Sequence, residues 1–453
     1  MTGDPGRGEG PLRVRTELLR ATIFHTPESP FTRDFHGAGA LVCHQDGGLL
    51  LRGGRVIACG DYERVRKENP EAGTTDWRGG FLVPGLVDAH VHYPQLRVIG
   101  ALGRSLLDWL EHVALPEEAR MADVSYAAAV AHDFTRALAC QGTTTALAFG
   151  AHFAPATAAL FESAAISGLR IVSGLVVSDR LLRPDLHRAP EEAYRDSTAL
   201  IRRYHKSGRL LYAVTPRFAF STTEPMLEVC QTLLAEHPDV RLQTHINENT
   251  NEVDGLRTLF PWAKDYLAIY ERYSLSGSRS VMAHNLHATD SELERLAAAG
   301  TSIAHCPASN AMLGSGMFPL RRHVSAGVKC ALGTDVGGGV GFGMLKEGLQ
   351  AYLMQRLLPD GVPLDAGALL YLCTLAGAEA LKLEEEIGDF SAGKAADLVY
   401  LRPPRGSLLE SVVGHVDGPE QALASLFTMA GSESVREVRV AGETVYQAEI
   451  IEK

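Results

Sequence analysis

The chain has 453 residues, 45% hydrophobic and 21% charged, an ordinary globular balance with room for one large barrel and a smaller module. Forty-three basic residues stand against 54 acidic ones, and the net charge of −11 disfavours a polyanionic partner such as nucleic acid. Seven scattered cysteines without a C-x-x-C pair read as reduced thiols of a cytoplasmic protein, and Cys306 as a buried structural one.

The opening MTGDPGRGEGPLRVR has no long apolar core, so no secretory leader is expected. Residues 1 to about 10 are Gly- and charge-rich and are expected to be disordered. No run reaches the ~18 uncharged apolar residues of a membrane span, so no membrane is expected as a partner. Residues 1–80 hold strand-like segments, LLRATIFHT and LVCHQDGGLLLRGGRVIACG, broken by Gly-rich turns. Residues 386–453 hold two more, AADLVYLRP and VREVRVAGETVYQ. The two flanks are expected to meet in one small β-sandwich.

Residues 81–385 alternate short apolar strands with helical runs. Candidate strands are 81–87, 143–149, 170–177, 210–215, 240–244, 280–283, 301–304 and 328–332. SELERLAAAG reads as a helix ended by Gly300. Eight such βα units predict an α/β fold, a (β/α)8 barrel. The long connection after the first strand carries SLLDWLEHVALPEEARMAD, which predicts an active-site lid or a helical insertion.

A barrel of this kind concentrates its chemistry at the C-terminal strand ends. The first strand leads to His90 and His92, the fourth to Arg217 and Phe218, and the fifth to His245 and Glu248. The sixth leads to His284 and the eighth to Asp335. His-x-His at a strand end puts both imidazoles on one side, because side chains alternate with a period of two. Neutral imidazoles so placed can grip a borderline metal ion, with His245 as a third nitrogen and Asp335 as an oxygen ligand. Such a set leaves room for a water. Each residue also has a plainer reading. Asp335 fits a helix N-cap, Arg217 a structural ion pair, Phe218 core packing, and Gln95 the satisfaction of loop backbone groups. His287 is assigned to the surroundings of the site or to the surface. GTDVGGGVGFG lacks the Lys-Ser/Thr of a phosphate-binding loop and reads as slack that lets Asp335 approach the backbone.

At these residues the chain resembles a known family. PGLVDAHVH, QTHINEN, AHNLH, AHCPASNAMLGSG and LGTDVGGG are similar to the motifs of the amidohydrolase superfamily. HVHYPQ, LLDWLEHVALPEE and TPRFAF resemble its guanine-deaminating branch, and the likeness covers nearly the whole chain. One departure is RFAFSTT, where that branch often has Pro or Ser after RFA. The resemblance implies a distorted (β/α)8 barrel, a homodimer, and one divalent metal per subunit, zinc or else iron. It implies His90, His92, His245 and Asp335 as ligands. It implies Glu248 as the proton shuttle, with His284 and Asp335 also catalytic. Gln95, Arg217, Phe218, His245 and Glu248 would hold a purine. The implied reaction is hydroxide attack on C2 of guanine, giving xanthine and ammonia. The H-x-E and P-C-x-x-C signature of the other deaminase architecture is absent. Three rivals stand beside this expectation. They are deamination of another heterocycle (a pterin, 8-oxopurine, triazine or cytosine-like ring), an inert barrel scaffold, and a nucleobase receptor.

Overall fold

Short runs rich in Val, Leu, Ile and Ala, each followed by a helix, bury both faces of a sheet most simply by pairing in parallel with the helices outside. The protein does this in a computed structural model that describes residues 16–31 and 40–449. The expectations for residues 1–15, on leader and disorder, lie outside the described residues. Strands in chain order are β1 (Thr16–His25), β2 (Val42–Arg52), β3 (Arg55–Asp61), β4 (Gly73–Pro84), β5 (Leu86–His92), β6 (Thr143–Phe149), β7 (Arg170–Gly174) and β8 (Val176–Val177). They continue as β9 (Leu210–Pro216), β10 (Arg241–Ile246), β11 (Ser280–His284), β12 (Ser302–His305), β13 (Lys329–Leu332), β14 (Leu398–Leu401), β15 (Val435–Val440) and β16 (Glu443–Gln447).

Strands β5, β6, β7, β9, β10, β11, β12 and β13 neighbour one another in that order, all parallel, and form a near-closed barrel, with β8 beside β9. The gap between β13 and β5 is bridged just past the strand ends. Asp335 N donates to His90 O and His92 N to Val336 O, each at 2.8 Å. Helices on the outside start and stop where their sequences dictate. Asp290–Ala299 opens with a Thr289/Glu292 capping box and ends at Gly300 in the left-handed region, φ 72°.

The flanks meet in one mixed sheet, ordered β16-β15-β14-β4-β1-β2-β3. It curls until Arg55 bridges Ala395 and encloses a small core of Leu19, Ile23, Leu49, Leu82 and Phe390. The C-terminal flank is not all β, since helices Leu408–Val413 and Pro419–Met429 lie between β14 and β15. Phe24, Phe81 and Val399 of the sheet share one apolar cluster with Val87, Leu138 and Leu147 of the barrel, so sheet and barrel are packed without an intervening gap.

The run 81–87, expected as one barrel strand, is divided between the two sheets. Phe81–Pro84 pair with β14 in the flanking sheet, and Leu86 begins the barrel beside Thr143. Pro84 and Gly85 mark the handover. Both halves are buried on both faces, so hydrophobicity runs through without a break.

The connection after β5 is the expected helical insertion. Leu106–Trp109, a wide turn at Leu110–Ala114 and Leu115–Ala119 follow one another. Leu106, Trp109 and Leu110 pack with Phe218 and Leu313. Among the described residues no helix is long and apolar enough to cross a membrane.

Candidate active site

The alternation of β5 aims His90 and His92 to the same side, and both are almost fully buried, at 1% and 3% exposure. His92 Nε2 lies 3.2 Å from His90 Nε2 and 3.2 Å from His245 Nε2. Asp335 Oδ1 lies 3.2 Å from His90 Nε2 and 3.3 Å from His92 Nε2. Ligands ~2.0 Å from a tetrahedral ion are separated by about 3.3 Å, which is the spacing of these four pairs. His90, His245, His284 and Asp335 all offer donor atoms within 4.8 Å of one another.

The proton states suit a cation. Burial pushes His92 down to about 4 and His90 below its ordinary range. Burial, with His90 and His92 adding, pushes His245 well down. Burial thus favours the neutral ring at each of the three, the form in which an imidazole can ligate a metal. His245 Nδ1 donates to Arg217 O at 2.6 Å, which fixes the tautomer and leaves Nε2 for the ion. Burial works against charge on Asp335, but hydrogen bonds from His90 and His92 outweigh it and hold the carboxyl well below the usual range. Three imidazoles and a carboxylate suit zinc or iron.

Asp335 and His284 both sit in the left-handed backbone region, φ 49° and 75°, a conformation that is costly without glycine. Glycines on either side of Asp335 give close approach to the strand that carries His90. A side chain on Gly333 would meet His90 Cβ at 2.7 Å, and one on Gly337 would meet Gln95 O at 2.5 Å. Asp88, the acid that opens the His-x-His run, locks this corner. Its Oδ1 accepts from His90 N at 3.2 Å and Thr334 N at 3.0 Å, and its Oδ2 accepts from Thr334 Oγ1 at 2.6 Å.

Beside the four converging atoms lie two more ionisable groups. Glu248 Oε2 is 3.6 Å from His284 Nε2, which is 3.8 Å from Asp335 Oδ2. His284 Nδ1 donates to Asn310 Oδ1 at 2.9 Å, and its Nε2 is buried with no hydrogen-bond partner among the described residues. Burial, then the charge of Asp335, push Glu248 well above the carboxylate range. Ser315 Oγ donates to Glu248 Oε1 at 3.5 Å. His287 Nε2 meets Ser315 O at 3.0 Å, which places it beside the site rather than in it. Cys306 is fully buried, and burial pushes its thiol well up, as befits a structural cysteine.

These groups open on a cavity lined also by Gln95, Leu106, Trp109, Arg217, Phe218 and Leu313. The structure thus brings together His90, His92, Gln95, Arg217, Phe218, His245, Glu248, His284 and Asp335 around one space. Arg217 is an ion pair as well as a wall of the cavity: its Nη1 donates to Glu118 Oε1 at 2.9 Å and Oε2 at 3.1 Å. Gln95 Nε2 donates to Glu118 Oε1 at 2.7 Å, and Gln95 Oε1 accepts from Gly337 N at 3.1 Å. His152 Nε2 is 3.1 Å from Glu118 Oε2.

Glu118, Asn310 and the clamp at Asp88 were not foreseen as parts of the site. Glu118 sits in PEEAR on the insertion, where adjacent acids read as a solvated helix face. Only its burial, at 2% exposure, separates it from an ordinary surface acid.

Residues 81–445 match the pattern of the amidohydrolase family. The chain is 52% identical over 96% of its length to 99% of a protein of Deinococcus radiodurans named "Probable guanine deaminase". It is 38% identical over 90% of its length to 93% of the guanine deaminase of Escherichia coli. A solved structure of E. coli guanine deaminase superposes with a TM-score of 0.92, covering 96% of this chain and 100% of that one at 36% identity. With its barrel, its convergent histidines and a match over most of its length, the chain belongs to the amidohydrolase family.

Proposed function

We propose that the protein deaminates guanine hydrolytically to xanthine and ammonia, with one divalent ion, zinc in the first instance, held by His90, His92, His245 and Asp335. The observation that carries this is the meeting of His90, His92, His245 and Asp335 at 3.2–3.3 Å beside a cavity walled by Glu248, Arg217 and Gln95. The names of the relatives support guanine as the ring.

A divalent ion bound there supplies a Lewis acid that brings the pKa of a coordinated water towards ~7. The chain's own residues supply the rest. Glu248 lines the cavity beside His284, where it would take a proton from the attacking water and deliver it to ring N3. Protonation at N3 makes C2, a weak electrophile beside its amine, open to addition. His284 turns its Nε2 towards Glu248 and Asp335, placed to take a proton from the attacking oxygen and to pass it to the leaving amine. Arg217 lends N–H donors to the O6/N7 edge, and Gln95 borders the same space. Phe218 and Trp109 cover the ring and, with Leu106 and Leu110, keep bulk water out.

The test is ammonia release by metal-replete protein from guanine and from pterin, 8-oxopurine, triazine and cytosine-like rings. Guanine is expected to turn over fastest. Absence of guanine turnover beside rapid turnover of another ring overturns the proposal. A homodimer in the cytoplasm is the finer part of the same reading. It rests on the resemblance and on the unpaired cysteines, and sedimentation of the pure protein checks the dimer.

A further inference from the structure

We infer that Glu118 makes the purine-holding edge of the cavity charge-neutral, so that the site selects an uncharged ring and rejects an anionic one. The inference rests on the function proposed above and assigns a residue that touches no substrate. Glu118 does not line the cavity; it stands behind Arg217 and Gln95, which do.

A guanidinium buried to 3% exposure at the wall of a pocket would by itself be an anion receptor. Arg217 is not by itself. Glu118, equally buried, accepts from its Nη1 with both oxygens, so the two charges cancel at contact distance. Among the described residues Glu118 engages that one nitrogen of Arg217, which leaves the remaining N–H groups as donors without a net field. The same carboxylate orients Gln95. Because Glu118 can only accept, Gln95 must turn its NH2 towards it and its carbonyl oxygen towards Gly337 N. Three chain segments are drawn to this one carboxylate: the end of β9, the turn after β5, and the loop after β6 that carries His152. Glu118 comes from the insertion, so the insertion sets the electrostatics of a barrel pocket as well as covering it.

The residue is a positioning residue, and the consequences of changing it are specific. In Glu118→Gln the shape is kept, but Arg217 loses its counter-charge and two amide NH2 groups compete at Gln95. In Glu118→Asp the charge is kept at shorter reach. In Arg217→Gln the negative charge is left instead.

The experiment uses metal-loaded full-length protein and two purines: hypoxanthine, neutral at neutral pH, and urate, which carries one negative charge there. Dissociation constants are measured by calorimetry, which needs no turnover, and KM and kcat for guanine are measured alongside. One uncompensated charge across a pocket shifts the urate-to-hypoxanthine ratio of dissociation constants by at least ~10-fold. Glu118→Gln is expected to lower that ratio and Arg217→Gln to raise it, while Glu118→Asp stays near the wild type. For guanine, Glu118→Gln is expected to raise KM by about 10-fold with kcat changed by less than about 3-fold, the mark of lost binding rather than lost chemistry. A ratio unmoved in both Glu118→Gln and Arg217→Gln overturns the inference, as does Glu118→Asp shifting as far as Glu118→Gln. Should Glu118→Gln not fold, the direction of the Arg217→Gln shift decides alone. Wild-type protein without guanine turnover would reject the proposed function; the two-ligand ratios would still decide the role of Glu118.

Discussion

Asp88 gives the sharpest test of how the barrel holds the corner that carries His90 and Asp335. Its carboxylate collects three donors, His90 N, Thr334 N and Thr334 Oγ1, at 3.2, 3.0 and 2.6 Å, and all of them are buried. In Asp88→Ala these donors lose their acceptor, and stranding a buried donor costs ~1–3 kcal/mol, so about 3–6 kcal/mol follows after partial relaxation. Asp88→Asn is a different case. The amide oxygen can still accept from the two backbone N–H groups, and the Thr334 hydroxyl can rotate to accept from the amide nitrogen. Burial pushes the carboxyl up to about 7 against the Thr334 bonds, so losing its charge is mild, and about 1 kcal/mol is expected. Because Thr334 precedes Asp335 and His90 follows two residues after Asp88, the loss also reaches two of the proposed ligands. Metal affinity in Asp88→Ala is expected to fall by ~10–100-fold, the scale seen when groups that orient ligands are removed. Thermal melting of the metal-free protein measures the first effect, and metal retained against a chelator measures the second. Asp88→Ala melting beside the wild type and retaining its metal, or Asp88→Asn as damaged as Asp88→Ala, refutes the clamp.

Glu248→Gln is expected to keep the metal and lose at least ~100-fold in kcat, which metal analysis and steady-state ammonia release check together. His245→Ala removes a nitrogen whose partner bond to Arg217 O fixes it for the ion, and is expected to lower the metal content of purified protein. His323 predicts an acid limb of stability: its Nδ1 meets Pro319 O at 3.0 Å and its Nε2 accepts from Asn285 Nδ2 at 3.0 Å, a pair that only the neutral ring satisfies. Burial pushes it down to about 4, with Arg322 and His305 the charged and titratable groups facing it. Since the folded value lies below the unfolded ~6.5, its contribution is full above that pH and is lost as pH falls towards 4, by about 3 kcal/mol. Denaturation of His323→Gln between pH 4 and 7 should show a shallower loss than the wild type.

Much of this architecture could be read from the residues, and particular elements show why. Thr143–Phe149 was expected with the bounds it has, because a β-branched and aliphatic run between turn residues has one simple use. Strand ends named the converging groups because the barrel places every such end on one rim. The crossing at Gly85 was hidden, since burial on both faces erases the period that would have shown a change of sheet. Glu118 was hidden for a related reason: an acid on a helix carries no mark of burial until a distant guanidinium comes to meet it. Arg217 was open between an ion pair and a ligand contact; it forms the ion pair with Glu118 and at the same time lines the cavity.

The single-residue joint at Gly85 has a consequence for anyone who would cut or graft this enzyme. Pro84 is stitched to Leu398 near the far end of the chain, and Leu86 starts the strand that ends in His90 and His92. Excising the terminal sheet as a dispensable appendage would therefore unmoor the catalytic rim. A transplant that carries the whole run from Gly73 to His92, with its C-terminal partner strands, preserves the anchorage.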